Sequence, residues 1–193
     1  MQDGGFASAM HIPMLHVAAM VVAIFTSVGE IDVRLDTVHA PRTSANFLAY
    51  VRRGFFTGGA FFRTVTTHPD NQPANRAKID VIQGGPNERS HPKTDRPVAF
   101  EATSVTGIQH RDGTLSMARD TRLASATTNF FICIGKQPSL DDGGKRSADR
   151  RGFAAFGRVV RGMAVVRAIH AAHARGQRLA PPIAIVRMQV RGG

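Results

Sequence analysis

Short β-type segments recur along the chain, separated by loops rich in glycine, proline and other turn residues, and this spacing limits the possible folds most strongly. The segments are apolar runs or alternate apolar and polar side chains, as strands do. About eight such strands at short, fairly regular spacing favour a closed antiparallel barrel, which leaves no exposed sheet edge. Strands are predicted at residues 20–25, 31–35, 61–65, 79–83, 98–101, 113–118, 129–134, 153–160 and 183–190.

Two segments have the period of an amphipathic helix instead, at residues 42–53 and 163–174. Pro41 lies near the first turn of the first helix, and Gly54 and Gly176 follow the two helices as stop signals. The predicted fold class is therefore mainly β, with two helices. Because a barrel of eight strands fills its interior with its own side chains, a ligand site is expected on the outer face or in the loops.

Composition and charge exclude several classes of function. The 193 residues suit one domain with a sizeable core, and a net charge of +11 raises the question of nucleic acid. The 25 Lys and Arg are scattered, however, without aromatic platforms or an Arg-rich helix, so nucleic-acid binding is not expected. Cys133 is the single cysteine, and His170 and His173 lack an acidic partner nearby, so no metal and no cofactor are expected.

The N-terminal residues 1–19 are interpreted as an extension or the remnant of a leader, and residues 20–191 as a single domain. Residues 11–25 are apolar but lack the basic region of a signal peptide. They are also too short and too interrupted by His to span a bilayer, so no membrane span is expected. The cytoplasm is the default location, and the periplasm follows if residues 1–19 are a leader remnant.

Arg63 lies within the apolar run that contains Phe61, Phe62 and Val65. One interpretation is an arginine on an edge strand, with its stem on apolar surface and its head in water. The other is a guanidinium held beside an apolar pocket to act on a ligand. Because Arg is mostly exposed, the stretch by itself favours the first interpretation.

Seven segments together resemble the cyclophilin family of peptidyl-prolyl cis–trans isomerases, in the family's order across residues 20–190. The family fold is an eight-stranded barrel capped by two α-helices, which agrees with the predicted elements. The segments are TSVGEI (26–31), APRTSANF (40–47), FFRTV (61–65), VIQGG (81–85), LSMAR (115–119), TNFFIC (128–133) and FAAFGRV (153–159).

The resemblance implies roles for individual residues. Arg63 takes the position of the catalytic arginine, Gln83 that of the glutamine before paired glycines, and Phe131 that of the aromatic floor of the proline pocket. The strand edge that pairs with the substrate backbone is assigned to Ala118 and Arg119. Other walls of the pocket are assigned to Val81, Leu140 and Phe153. Asn129 falls where the family commonly has glutamine.

The implied activity is isomerisation of X–Pro bonds in unfolded or flexible polypeptides. A closed barrel with a groove built from loops needs no partner chain, so a monomer is the default expectation. Asp80 falls where many members place a Phe, so we expect either a more polar pocket or a substitute from the loop at 66–78. Asp80 and Asn129 also leave open an alternative, a module that binds proline-containing peptides with weak or no turnover. Ser139 stands near the tryptophan position of eukaryotic members, so cyclosporin binding is expected to be weak.

Overall fold

The structure is a computed structural model that describes residues 20–87 and 96–191. The predicted extension at residues 1–19 lies outside the described residues. Nine strands and three α-helices are found in the described part. In chain order they are β1 (Val21–Thr26), β2 (Gly29–Leu35), α1 (Pro41–Arg52), β3 (Gly59–Val65), β4 (Val81–Gly85), α2 (Thr103–Thr106), β5 (Thr114–Met117), β6 (Phe130–Cys133), β7 (Ala155–Arg161), α3 (Met163–His170), β8 (Ala174–Arg175) and β9 (Arg178–Val190).

The strands form one antiparallel sheet that closes on itself. Its order is β1-β2-β7-β5-β6-β4-β3-β9, and β9 also pairs with β1, so eight strands make a complete ring. The two-residue strand β8 pairs with β9 through Ala174 and Leu179, outside this ring. The predicted eight-stranded antiparallel barrel is confirmed, with one short strand and the one-turn helix α2 in addition.

Two predicted elements differ in the structure. Residues 98–101 form no strand, because Glu101 instead accepts hydrogen bonds from the backbone N–H groups of Arg42 and Thr43, at 3.1 and 2.9 Å. These are donors of the first turn of α1, which has no acidic residue of its own, so Glu101 caps that helix from outside. The helix predicted at 163–174 ends at His170, and the chain then turns through β8 into β9.

Aromatic rings fill the interior of the barrel. Phe47 of α1 lies 5.2 Å from Phe56, 5.6 Å from Phe130 and 5.3 Å from Phe156, measured between ring centroids. Phe61 lies 5.7 Å from Phe130 in an edge-to-face arrangement. All five side chains are buried. The barrel is therefore filled by its own side chains, and its interior leaves no room for a ligand.

A second, smaller apolar cluster lies on the opposite face of the sheet from the interior core. We call it the outer cluster, and it is separate from the interior because successive residues of a strand point to opposite faces. Phe130, for example, belongs to the interior, whereas Phe131 belongs to the outer cluster. The outer cluster consists of Val65, Ile79, Val81, Phe131, Cys133 and Leu140, with Ala118 and Phe153 packed against it.

Candidate active site

Four residues from four neighbouring strands form a continuous row on the outer face. Arg63 of β3 lies opposite Gln83 of β4, Gln83 lies opposite Phe131 of β6, and Phe131 lies opposite Ser116 of β5. Residues that oppose each other directly in a sheet share one face and are in contact range. The register of the strands thus brings together side chains that are up to 68 positions apart in the sequence.

Arg63 is held by two glutamine side chains. Its Nη1 donates to Oε1 of Gln83 at 2.9 Å, while Nε and Nη2 donate to Oε1 of Gln177 at 2.9 and 2.6 Å. Strand β3 has a register shift between Phe61 and Arg63, a bulge of the kind that redirects a side chain. Burial lowers the pKa of the guanidinium below its ordinary value, but arginine remains a cation at working pH.

The outer cluster forms an apolar floor and walls beside this guanidinium. Phe131 is the floor, and the ring of Phe153 meets it edge-on with centroids 5.5 Å apart. Leu140, at the end of a 3₁₀ turn formed by Pro138–Leu140, is buried against them. Val81 and Ile79 contribute from the β4 side. The arrangement suits a small apolar ring held next to a fixed cation.

A buried polar network supports the floor from behind. The ring of His110 stacks on Phe131 with centroids 5.8 Å apart and an interplanar angle of 15°. Its Nδ1 lies 2.7 Å from Oδ1 of Asp141, and its Nε2 lies 2.9 Å from Oγ of Ser116. Both His110 and Ser116 are fully buried, while the side chain of Asp141 is partly exposed, so this network positions the floor from within the protein. Sequence reasoning missed it because His110 and Asp141 are 31 residues apart and share no spacing pattern.

Known proteins share this sequence pattern and fold. The family model for cyclophilin type peptidyl-prolyl cis-trans isomerase/CLD matches residues 21–190. This chain belongs to that family. Peptidyl-prolyl cis-trans isomerase A of Dickeya dadantii is 35% identical over 146 residues, which cover 75% of this chain and 67% of that protein. As a member of the family, the chain is a peptidyl-prolyl cis–trans isomerase, and the predicted activity is confirmed.

The same fold occurs in a cyclophilin-type isomerase of Cryptosporidium parvum. Its crystal structure aligns with a TM-score of 0.71 at 18% identity and covers 91% of this chain and 99% of that one. A second structure of that protein, in the presence of the dipeptide Ala-Pro, aligns with a TM-score of 0.69 at the same identity, covering 90% and 99% of the two chains. At this identity the likeness concerns the fold alone.

The predicted strand edge of the cyclophilin site lies beside the outer cluster. The Ala118 N–H is bonded to the carbonyl of Asn129 at 2.9 Å. Arg119 donates from Nε to the carbonyl of Gly152 at 2.8 Å and from Nη2 to Asp149 at 2.7 Å. That hydrogen bond from Arg119 lowers the pKa of Asp149 to about 2. Arg119 also lies 5.3 Å from the ring centroid of Phe153, so it fixes the loop that carries this wall.

The structure corrects the expectation that Asp80 stands in a pocket wall. Its two carboxylate oxygens accept hydrogen bonds from the backbone N–H and the hydroxyl of Thr67, both at 2.8 Å. Its neighbours Ile79 and Val81 face the outer cluster, and alternation along the chain directs Asp80 away from it. Ile79 therefore supplies the apolar surface that the sequence left in doubt, and the pocket is not made more polar by Asp80.

The remaining predicted residue, Asn129, lies over the paired glycines. Its side-chain amide occupies the space that a Cβ at Gly85 would fill, so only glycine at that position admits this placement. Asn129 thus borders the row formed by Arg63, Gln83 and Phe131, two residues before the floor residue Phe131 along the chain.

The described residues hold neither a metal site nor a membrane-spanning helix. The Nε2 of His170 lies 2.9 Å from the carbonyl oxygen of Val65 and 3.5 Å from Oδ1 of Asp80, so His170 is a structural residue, and the expectation that it has no acidic neighbour is wrong. No group of three or more His, Cys, Asp or Glu side chains that could hold a metal occurs in residues 20–87 and 96–191. In the same ranges, no helix combines the length and the hydropathy needed to cross a membrane.

Proposed function

We propose that Arg63 accelerates X–Pro rotation by donating a hydrogen bond to the prolyl nitrogen in the twisted transition state. The planar amide has a rotation barrier of about 20 kcal/mol, so uncatalysed exchange takes tens to hundreds of seconds. In the twisted state the nitrogen lone pair leaves conjugation and becomes an acceptor. A guanidinium aimed at it therefore gains a charge-assisted bond that the planar ground state does not offer.

The surroundings of Arg63 suit this role. Nη1 and Nη2 each use one hydrogen toward Gln83 and Gln177, which leaves a second hydrogen on each nitrogen for substrate. Because two glutamine oxygens fix the guanidinium, little reorganisation is needed when the amide twists. No covalent step, metal or cofactor enters this mechanism.

The outer cluster would hold the pyrrolidine ring while the chain on the other side of the bond turns. Phe131 provides the floor, and the walls come from Val81, Leu140 and Phe153. Gln83 has its oxygen occupied by Arg63, so its amide nitrogen is left to donate to a peptide carbonyl. Asn129 and the edge at Ala118 and Arg119 border the same surface. The Cryptosporidium structure obtained with Ala-Pro is consistent with a proline-containing ligand for this fold.

The row that joins Arg63, Gln83 and Phe131 is the observation that carries the proposal. The test is Arg63→Ala, for which we expect kcat/KM to fall about 10²- to 10³-fold, as for loss of one preorganised donor. Turnover is measured on an Ala-Pro-Phe peptide by protease coupling, and circular dichroism checks the fold. Arg158→Ala, at an exposed position of β7, is the matched control.

An Arg63→Ala variant that is folded and as active as the wild type would contradict this role. A wild type that binds the peptide without turning it over would instead support the binding module left open by the sequence. The proposed substrates are X–Pro bonds in unfolded or flexible polypeptides, which a shallow outer site admits more readily than bonds within a folded domain.

We further propose that residues 20–191 form one domain that works as a monomer, since all site residues come from one chain. Sedimentation at micromolar concentration is expected to show a single 20.8 kDa species, and a stable dimer would contradict it. Cyclosporin should bind weakly, because Ser139 lacks the indole of tryptophan at the corresponding position. A calorimetric affinity equal to that of a Trp-containing cyclophilin would contradict this expectation.

A further inference from the structure

Arg146 connects the two long loops that flank the pocket. It lies between β6 and β7, and its Nη1 donates to Oε1 of Gln72 and to the carbonyl of Ala77, both at 2.9 Å. Gln72 and Ala77 belong to the loop between β3 and β4. The backbone N–H of Arg146 bonds to the carbonyl of Ser139 at 3.0 Å, next to the pocket wall at Leu140. Arg146 therefore stands at the rim of the outer cluster.

Arg146 and the catalytic Arg63 are attached to adjacent residues of the same loop. Arg63 binds Oε1 of Gln177, and Nε2 of Gln177 donates to the carbonyl of Asn71 at 2.9 Å. Asn71 precedes Gln72, the residue that Arg146 holds. Burial and then the charge of Arg63 lower the pKa of Arg146 below its ordinary value, which agrees with this proximity.

Neither guanidinium has an anionic partner within residues 20–87 and 96–191, since all of their acceptors are amide or carbonyl oxygens. Other arginines differ: Arg119 binds Asp149, and Arg167 binds Asp112. In the described part of the chain, Arg146 also uses only Nη1, so Nε and Nη2 are left for an incoming acceptor. Two partly buried cations without a counter-ion make a site that favours an anion.

We propose that Arg146 is a specificity-determining residue that, together with Arg63, makes this isomerase favour X–Pro segments with an anionic side chain next to the proline. The inference rests on the proposed binding of X–Pro segments to the outer cluster. A carboxylate or a phosphate on the residue flanking proline would accept from Nε and Nη2 of Arg146 while the ring lies on Phe131. The net charge of +11 would also raise the encounter rate with such segments.

The test compares matched peptides that differ in one flanking side chain. NMR exchange measures the rate of cis–trans isomerisation without a coupling protease. The peptide pairs are Glu-Pro with Gln-Pro and phosphoserine-Pro with Ser-Pro. The same side-chain pairs are also placed after proline. We expect kcat/KM to be about 5- to 10-fold higher for the better-placed Glu peptide than for its Gln match, as for a partly buried ion pair. A larger ratio for phosphoserine than for Glu would identify phosphate as the preferred anion, and the reverse would identify carboxylate.

Arg146→Gln separates anion selection from simple loop attachment. Glutamine can still donate to Gln72 and Ala77 but carries no charge, so the Glu-to-Gln ratio should fall below 2, to the part that the charge of Arg63 contributes. A purely structural role would lower both rates and leave their ratio unchanged. Lys145→Gln removes an exposed charge at the adjacent position and should keep the wild-type ratio.

Two further measurements test the inference if Arg146→Gln does not fold. In the wild type, raising salt from 20 to 500 mM should reduce the ratio at least twofold, because screening weakens the ion pair. Arg146→Lys, which keeps the charge, should retain a ratio above 2. A wild-type ratio near 1 for every anionic peptide, or a ratio unchanged in folded Arg146→Gln, would overturn the inference.

Failure of the proposed function gives a different result. If the wild type turns over none of the peptides, the catalytic role of this site fails, and the anion preference is then decided by dissociation constants. Fluorescence anisotropy of labelled Glu and Gln peptides should give the same ratio of affinities. Equal affinities would overturn the anion preference as well.

Discussion

Phe130 and Phe131 are adjacent in β6 and both buried, yet they belong to different parts of the molecule. Phe130 is fully buried in the interior, with rings of Phe47, Phe56 and Phe61 around it. Phe131 is on the outer face, between the imidazole of His110 and the ring of Phe153. One position along a strand therefore separates a residue that stabilises the barrel from one that forms a site.

The two environments are built differently. The interior is closed by the barrel itself, so apolar packing alone fills it. The outer cluster is covered by loops, and its neighbours include polar groups with specific hydrogen bonds, such as Arg63 with Gln83 and His110 with Asp141. A surface that receives a ligand is not closed by apolar packing. Its polar groups therefore need hydrogen-bond partners within the protein that hold them in place.

The largest expected effect that tests this contrast is on stability. Phe130→Ala should lower the free energy of unfolding by about 3–5 kcal/mol, because it leaves a cavity among close-packed rings. Urea unfolding followed by circular dichroism measures the change. Phe131→Ala should lower the free energy of unfolding clearly less, because Phe131 lies on the outer face and is 5% exposed, whereas Phe130 is 0% exposed. Equal losses for the two variants would show that the outer cluster is as much a core as the interior.

The next effect concerns activity. Phe131→Ala removes the floor on which the pyrrolidine ring is proposed to rest, so kcat/KM should fall about 10- to 100-fold, as expected for about 2 kcal/mol of lost apolar contact. The protease-coupled assay measures it, with Phe25→Ala at the far β1–β9 side as the control. A folded Phe131→Ala variant with wild-type kcat/KM would place the proline ring elsewhere.

Much of this contrast could be predicted from the sequence. The family resemblance assigns Phe131, Val81, Leu140 and Phe153 to a pocket, and all four do lie in one cluster. The run at residues 130–134 is apolar throughout, so its composition alone does not separate inward from outward side chains. Once the resemblance places Phe131 on the outer face, the two-residue period of a strand places Phe130 inside.

The residues that the sequence did not reveal act through a few tertiary hydrogen bonds. Gln177 holds Arg63 from 114 positions away, and no periodic pattern leads to it. The sequence predicts a strand that includes Glu101, but the carboxylate of Glu101 caps α1 instead. The direction of Asp80 also depends on a local partner, Thr67. Each depends on a few hydrogen bonds made by one side chain, which hydrophobic patterning does not register.

The smallest expected effect concerns the polar network behind Phe131, which includes His110. His110→Phe keeps a ring against Phe131 but removes the partner of Ser116 and one bond to Asp141, so stability should fall by about 1–2 kcal/mol and kcat/KM by a few fold. Urea unfolding and the coupled assay measure the two. The double variant with Ser116→Ala should recover part of the stability, since a buried hydroxyl without a partner is then absent. If His110→Phe alone matches the wild type in both measurements, apolar packing suffices to hold Phe131, and the difference between the outer cluster and the interior is one of position only.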